Sequence, residues 1–148
     1  MRFIIFHVNS FTSKLKKKGK SPLVEQVPPE GKLFEIRDAF IVFTAVEKVD
    51  EGHESEVVRR STDEIEKFAK QLHVNKIVIH PFAHLFTELA DPKIAVKIMD
   101  MTAEELRNRG FESFRTPFGW FSEIKLDAKG HPISRIARQI RVEEQNNG

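Results

Sequence analysis

The chain has 148 residues, a formal net charge of +2 and no cysteine. This length suits one domain whose core is large enough to fold without a metal or a disulfide. The missing cysteines exclude a disulfide framework, a thiolate nucleophile and a cysteine-based zinc site. No apolar run approaches the roughly 20 residues that a membrane helix requires, so we expect a cytosolic protein without a membrane partner.

The apolar segments of the first half predict strands around one helix. Residues 1–9 predict a first strand, and residues 10–35, rich in lysine, proline and glycine, predict loops or a twisted hairpin edge. Residues 38–49 predict a central strand, and the one-sided apolar spacing of residues 57–72 predicts an amphipathic helix. A strand at residues 76–79 would complete a parallel, right-handed βαβ unit.

The second half predicts another helix followed by more strand. Asp91 is a good N-cap and Pro92 suits the first helical position, and we expect one continuous helix to Arg109. Residues 111–115 and 120–126 then have the composition of strands.

The end of the chain is predicted less sharply. Residues 133–142 have the apolar spacing of a short amphipathic helix, although their last residues would also suit a strand. Residues 143–148 predict a polar tail or the start of a linker, which leaves residues 1–142 as the domain. The elements together predict an α/β class, with βαβ units and a mixed sheet packed against helices.

A polar corner follows the strand at residues 76–79. It carries His80, His84 and Glu88, and such corners at the carboxyl ends of strands are where open α/β sheets usually bind ligands. Pro81 opposes a single helix through these three residues, so we expect no shared metal and no cofactor. His84 is either a hydrogen-bonded, partly buried histidine or a group that orients substrate or handles a proton.

A lysine run and several aromatic residues each have two interpretations. The run can be the solvated edge of a sheet or a site for RNA phosphates, and it comprises Lys14, Lys16, Lys17, Lys18 and Lys20. The aromatic residues suit a core better than stacking platforms, and they are Phe82, Phe118, Trp120 and Phe121.

Five groups of residues then occur in a familiar order and spacing. They are Val46-Glu47-Lys48-Val49-Asp50, Pro81-Phe82-Ala83-His84-Leu85 with Glu88-Leu89-Ala90, Arg109-Gly110-Phe111, Pro117-Phe118-Gly119 and Lys129-Gly130-His131-Pro132. Over residues 1–142 the chain closely resembles the N-terminal editing domain of archaeal-type threonyl-tRNA synthetases. The resemblance implies a D-aminoacyl-tRNA deacylase-like fold, a homodimer, and hydrolysis of serine wrongly attached to threonine tRNA.

The resemblance also implies the site. It places the seryl group and the terminal adenosine among Val46, Glu47, Pro81, Phe82, Ala83, His84, Phe118, Gly119, Trp120 and Phe121. It implies that the 2′-hydroxyl of the tRNA helps to activate the water, and it favours the RNA interpretation of the lysine run. The partners would be the serine-carrying 3′ end of tRNA(Thr) and the remainder of a synthetase, in cis or in trans.

This sequence departs from the family pattern at three positions. Where many members carry tyrosine and then lysine, this chain has Phe121 and Ser122, and Arg135 stands where an acidic residue is frequent. We expect catalysis to rest on RNA and backbone groups, with His84, Ser122 or Arg135 assisting. The alternatives are a D-aminoacyl-tRNA deacylase and a catalytically weak RNA-binding appendage.

Overall fold

The computed structural model describes residues 1–85 and 88–143. In chain order its elements are β1 (Arg2–Lys18), β2 (Leu33–Ala45), α1 (Glu54–Leu72), β3 (Lys76–Pro81), α2 (Pro92–Asn108), β4 (Glu112–Arg115), β5 (Trp120–Ala128) and β6 (Arg135–Gln139). The sheet has the order β4-β3-β2-β1-β5. Strand β6 pairs with the start of β1, on the same edge that β5 occupies further along. The predicted single α/β domain with a mixed sheet and packed helices is confirmed.

The main core lies between α1, α2 and one face of the sheet. Phe3 and Phe40 from the sheet share this core with Ile65 of α1 and Ile98 of α2. Both helices are amphipathic, so burying their apolar faces removes hydrocarbon from water and leaves charged residues outside. Across the described ranges, neither helix is long and apolar enough to cross a bilayer.

Strand β1 is about twice as long as the sequence predicted. The prediction of loops for residues 10–18 is wrong, because residues 10–14 pair with β2 on one side and β5 on the other, and residues 15–18 pair with β5. The alternative of a sheet edge holds for residues 15–18, since the pairing with β2 stops at Lys14. Phe11 and Leu15 are buried while Lys14 and Lys16 are exposed, so the lysines occupy the solvent side of an amphipathic strand. Residues 19–28 have no regular secondary structure.

Strands β2 and β3 and helix α1 form the predicted parallel unit. Phe40 of β2 lies opposite Ile77 of β3, and Thr44 lies opposite Pro81 at the carboxyl end. Strand β3 ends at Pro81, since this residue has no N–H to continue the ladder. The corner that begins at Phe82 is therefore held at the carboxyl end of two parallel strands.

Helix α2 confirms the prediction of one continuous helix. The Asp91 carboxylate accepts a hydrogen bond from the Lys93 N–H at 2.9 Å, which caps the first turn. The helix runs without a break through Thr102, whose hydroxyl donates to the Ile98 carbonyl at 2.8 Å.

The predicted C-terminal helix is wrong. Residues 135–139 form β6, which pairs antiparallel with Arg2–Phe6 of β1. The edge of β1 offers unpaired N–H and C=O groups along this stretch, and pairing with them stabilises a strand over a short isolated helix. Of the predicted polar tail, only Glu143 belongs to the described residues, and residues 144–148 lie outside them.

Buried charges surround the amino group of Met1. This ammonium donates to Oδ1 of Asp50 at 2.7 Å and to the Ile140 carbonyl at 2.8 Å, and it lies 3.4 Å from Oε2 of Glu47. The other Asp50 oxygen accepts the Glu47 N–H at 2.8 Å. Because all of these groups are buried, each charge depends on its partner for the solvation it has lost.

Replacing Asp50 with alanine should strongly destabilise the domain. The Met1 ammonium would keep only the more distant Glu47 as a buried anion, and breaking one side of a buried pair costs about 3–5 kcal/mol. Urea unfolding of the untagged chain measures the loss. Lys70→Ala is the control, because it removes an exposed ion pair with Glu66 and should cost at most about 1 kcal/mol. Equal, small losses in both variants would contradict this account of Asp50.

Candidate active site

A cavity of about 340 Å³ opens at the carboxyl end of β3. Its walls come from the corner after β3, the end of β2, the first half of α2, the second half of β1 and the start of β5. Most of the residues that we expected at the site line it, and these are Val46, Pro81, Phe82, Ala83, His84, Phe118, Gly119, Trp120, Phe121 and Ser122. The fold thus brings the two main groups of predicted residues to one place.

Two of the expected catalytic and substrate-binding residues do not line the cavity. Glu47 is buried in the charge cluster of Met1, and its Oε1 also pairs with Nε of Arg2 at 2.7 Å. Arg135 lies on β6 opposite Phe6, with an exposed side chain. Neither residue therefore enters the function that we propose below.

The lysine run is divided by its position along β1. Lys14, Lys16 and Lys17 are exposed on the strand, where Nζ of Lys16 lies 3.3 Å from Glu123. Lys20 lines the cavity, and Nζ of Lys18 lies 5.8 Å from the centre of the Trp120 ring. The carboxyl end of the run is therefore the part that reaches the candidate site.

Lys32 joins this end of the run, although sequence reasoning missed it. Its Nζ lies 5.5 Å from the centre of the Trp120 ring, so two ammonium groups face one indole at the cavity wall. Lys32 belongs to the short 3₁₀ helix Pro29–Lys32, and only the return of the chain into β2 brings it here. No local sequence signal marks it.

His80 is a buried part of the cavity wall. Its Nδ1 is 2.7 Å from Oγ1 of Thr116, and its ring packs edge-on against Phe11 and Phe43. Burial lowers the pKa of His80 to about 4, so the imidazole is neutral at neutral pH. His80 can hydrogen-bond but does not bring a positive charge to the cavity.

The two imidazoles of the corner have different environments, as the position of Pro81 predicted. His84 lies in the 3₁₀ helix Ala83–Leu85 with an exposed side chain, and its ring contacts Phe82. Within residues 1–85 and 88–143, the histidine, aspartate and glutamate side chains form no group of three that could hold a metal ion. Of the two imidazoles, His84 is the one whose exposed side chain is accessible to a substrate that enters the cavity from solvent.

The loop between β4 and β5 is held against residues 19–28 at close range. The Gly19 N–H donates to the Gly119 carbonyl at 2.7 Å. Gly119 has a φ of +90°, and a Cβ there would lie 2.5 Å from the Leu23 carbonyl oxygen and 2.8 Å from Cα of Val24. Only glycine combines this backbone conformation with this contact.

Glu25 makes the polar contacts of the same wall, and sequence reasoning did not identify it. Its carboxylate forms a bidentate ion pair with Arg115 and accepts the Phe118 N–H at 2.6 Å. Its backbone carbonyl accepts Nε1–H of Trp120 at 2.8 Å. The Arg115 hydrogen bond is the main cause that lowers the pKa of Glu25, so the carboxylate is ionised at neutral pH.

Comparison with solved structures defines the class of fold. The chain named c-Myc DNA Unwinding Element Binding Protein superposes with a TM-score of 0.59 at 12% sequence identity, covering 96% of this chain and 100% of that chain. At this identity the likeness concerns architecture alone. The shared architecture agrees with the predicted α/β domain with a mixed sheet packed against helices.

Comparison of sequences defines the family. The model of the archaea-specific editing domain of threonyl-tRNA synthetase matches residues 1–140, and the chain belongs to this family. The threonine–tRNA ligase of Thermococcus kodakarensis is 38% identical over 145 residues, which is 97% of this chain and 23% of the ligase. That of Methanosarcina mazei is 36% identical over 143 residues, which is 97% of this chain and 22% of the ligase.

This membership confirms the resemblance seen in the sequence. It implies proofreading of mischarged tRNA and agrees with the expected aminoacyl-tRNA deacylase. The chain spans less than a quarter of the length of these ligases, because 22–23% of each is covered.

His80 should make the free energy of unfolding depend on pH. Its pKa is about 4 in the folded chain, and an unfolded imidazole titrates near 6.5, so the unfolded chain binds the extra proton between these values. Stability should be full above pH 6.5 and should fall by up to about 3 kcal/mol as the pH drops towards 4. Urea unfolding of the wild type and of His80→Gln at pH 7 and at pH 4 measures how much stability each loses between the two pH values. The loss should be smaller in the variant. His84→Gln should keep the wild-type dependence, and a loss there instead would contradict the assignment to His80.

A methyl group at Gly119 should disturb the cavity wall. Gly119→Ala combines a left-handed backbone with a contact against Leu23 and Val24, and we expect a loss of about 2–3 kcal/mol in the free energy of unfolding. Gly130→Ala is the control, because a Cβ at Gly130 meets nothing within 4 Å and should change stability by less than about 1 kcal/mol. Thermal unfolding of both variants makes the comparison, and equal melting temperatures would count against tight packing at Gly119.

Proposed function

We propose that this domain hydrolyses the ester of L-seryl-tRNA(Thr) and releases serine. The supporting observation is the cavity at the end of β3, which unites the corner at residues 81–84 with residues 118–122 in a chain of the editing family. Serine lacks one methyl group of threonine, and a binding pocket gains only about 1–3 kcal/mol from such a group. A separate hydrolytic cavity that rejects the methyl group sterically supplies the remaining discrimination.

The composition of the cavity wall supports a mechanism that depends little on acidic side chains. The lining residues within the described ranges include neither a carboxylate nor a thiol. Neutral His80 is packed against two aromatic rings, and the other polar side chains of the wall include Lys20, Thr44 and Thr116. We assign the contacts with the substrate to the exposed His84 and to the hydroxyl of Ser122.

Water activation is therefore assigned to the RNA. The 2′-hydroxyl of the terminal ribose orients the attacking water, the carbonyl oxygen of the seryl ester becomes an oxyanion, and the ribose oxygen leaves with a proton. Backbone groups of the corner at residues 81–84 hold the seryl group. Ser122 and His84 assist by hydrogen bonding, and no metal or cofactor is required.

The tRNA approaches along the basic side of the cavity. Lys18 and Lys32 flank Trp120, Lys20 lines the opening, and Lys14, Lys16 and Lys17 extend the positive charge along β1. Lysines that neutralise phosphates release counterions, so binding should weaken steeply as the salt concentration rises. This arrangement suits the 3′ end of tRNA(Thr).

We also propose a homodimer that acts in the cytoplasm, with residues 1–142 as the editing domain. Large apolar side chains remain exposed on this chain, and a second copy would cover part of them; they include Leu33, Phe114, Phe121 and Ile124. The remainder of a threonyl-tRNA synthetase is the proposed partner, in cis or in trans.

Deacylation of two charged tRNAs tests the proposed reaction. The chain should remove serine from seryl-tRNA(Thr) at least about 10-fold faster than threonine from threonyl-tRNA(Thr), which is the scale that one methyl group permits. Replacing the terminal 2′-hydroxyl by hydrogen should abolish the reaction. Equal rates for both charged tRNAs, or no release of either amino acid, would refute the proposal.

The same assay separates the alternatives. A preference for D- over L-aminoacyl-tRNA whatever the tRNA would identify a D-aminoacyl-tRNA deacylase, and salt-sensitive tRNA binding without hydrolysis would identify a binding appendage. His84→Ala and Ser122→Ala measure the side-chain contribution. If both variants keep the wild-type rate while the 2′-deoxy substrate is inert, catalysis rests on the RNA and the backbone.

A further inference from the structure

We infer that Glu25 is a positioning residue of the deacylation site, and that it acts through Phe118 and Trp120. This inference rests on the proposed function and deepens it. Glu25 does not itself line the cavity, whereas Phe118 and Trp120 do. Its role is to hold one wall of the cavity at a fixed place relative to the other walls.

Glu25 contacts that wall with both its backbone and its side chain. Its N–H donates to the Phe118 carbonyl at 3.1 Å, and its carbonyl accepts Nε1–H of Trp120 at 2.8 Å. Its carboxylate accepts the Phe118 N–H at 2.6 Å. One residue of an irregular segment thereby fixes the backbone of Phe118 and the orientation of the Trp120 indole.

Arg115 connects this contact to a second wall. Its guanidinium forms two hydrogen bonds with the Glu25 carboxylate, and its Nε binds Asp100 of α2. Helix α2 also carries Met99, which lines the cavity. The chain of charges from Glu25 through Arg115 to Asp100 therefore joins residues 19–28, the loop before β5 and α2.

The geometry of this pair makes it a stiff connection. A guanidinium and a carboxylate that share two parallel hydrogen bonds fix both distance and direction, whereas a single ion pair fixes neither. The Arg115 side chain is only 12% exposed, so water competes weakly for it. A cavity wall displaced by about 1 Å can lower a rate by as much as 10²-fold, which is the scale of effect that positioning can have.

The single tryptophan of the chain reports on this wall directly, since it is Trp120. In Glu25→Ala, the fluorescence emission of Trp120 should shift to longer wavelength and acrylamide should quench it more strongly. The kcat/KM for deacylation of seryl-tRNA(Thr) should fall about 10- to 100-fold. Glu112→Ala is the matched control, because it removes an exposed carboxylate at the start of β4 and should leave emission and kcat/KM unchanged.

Glu25→Gln keeps the experiment decisive if Glu25→Ala folds poorly. Its amide oxygen can still accept the Phe118 N–H, but the ion pair with Arg115 is lost, so emission and kcat/KM should lie between wild type and Glu25→Ala. Arg115→Lys keeps the positive charge but cannot form the two parallel hydrogen bonds to Glu25. Its emission and kcat/KM should resemble those of Glu25→Gln. Urea unfolding verifies that each variant is folded at the assay temperature.

Two results would overturn the inference. If folded Glu25 variants keep the wild-type quenching of Trp120, the position of the wall does not depend on Glu25. If those variants keep the wild-type kcat/KM, the activity of the site does not depend on Glu25. Failure of the proposed function looks different, because the wild type itself would then release no serine. In that case the binding of an amide-linked seryl-adenosine can be measured through the quenching of Trp120 fluorescence. If Glu25 positions the wall, this binding should still be weaker in Glu25→Ala than in the wild type.

Discussion

Backbone pairing along both edges of β1 is the constraint on which the rest of the structure depends. One edge binds β2 from Arg2 to Lys14, and the other is shared by β6 and then β5. Interior N–H and C=O groups must find partners, so a strand of 17 residues in this position recruits three others. The second half of β1 carries Leu15 into the cavity and places the start of β5 beside the corner after β3. The pairing of β3 with β4 and the Thr116 N–H bond to the Ile79 carbonyl hold the loop before β5 to the same corner.

Two groups of charges connect segments that are distant in sequence. The Met1 ammonium joins the start of β1 to Asp50 and to the Ile140 carbonyl, and it lies in the core. Glu25 and Arg115 join an irregular segment to the cavity wall, and they are only partly buried. The first group explains why Glu47 serves the core here, since its carboxylate already neutralises Met1 and Arg2.

The cavity is shaped more by apolar and backbone groups than by ionised side chains. His80 is neutral because burial opposes its protonation, and Phe121 and Ser122 stand where a hydroxyl and an ammonium are frequent in the family. These residues support the proposal that the substrate RNA supplies the reactive hydroxyl. The likeness in fold to a chain of 12% identity does not bear on that chemistry, because one architecture can hold many sites.

The sequence by itself determined the elements whose signals are local: the amphipathic spacing of α1, the Asp91 cap of α2, the end of β3 at Pro81, and the residues that resemble the editing family. Tertiary structure decided the rest. Residues 10–18 and β6 form strands because their backbone groups pair with neighbouring strands of the sheet. Glu47 lies in the core because it forms an ion pair with the Met1 ammonium. Glu25 and Lys32 reached the cavity through the return of the chain around Trp120. The spacing of apolar side chains along a helix can be recognised from neighbouring residues in the sequence. The distant residue that pairs with a charge or with a strand edge comes into contact with it only once the chain has folded.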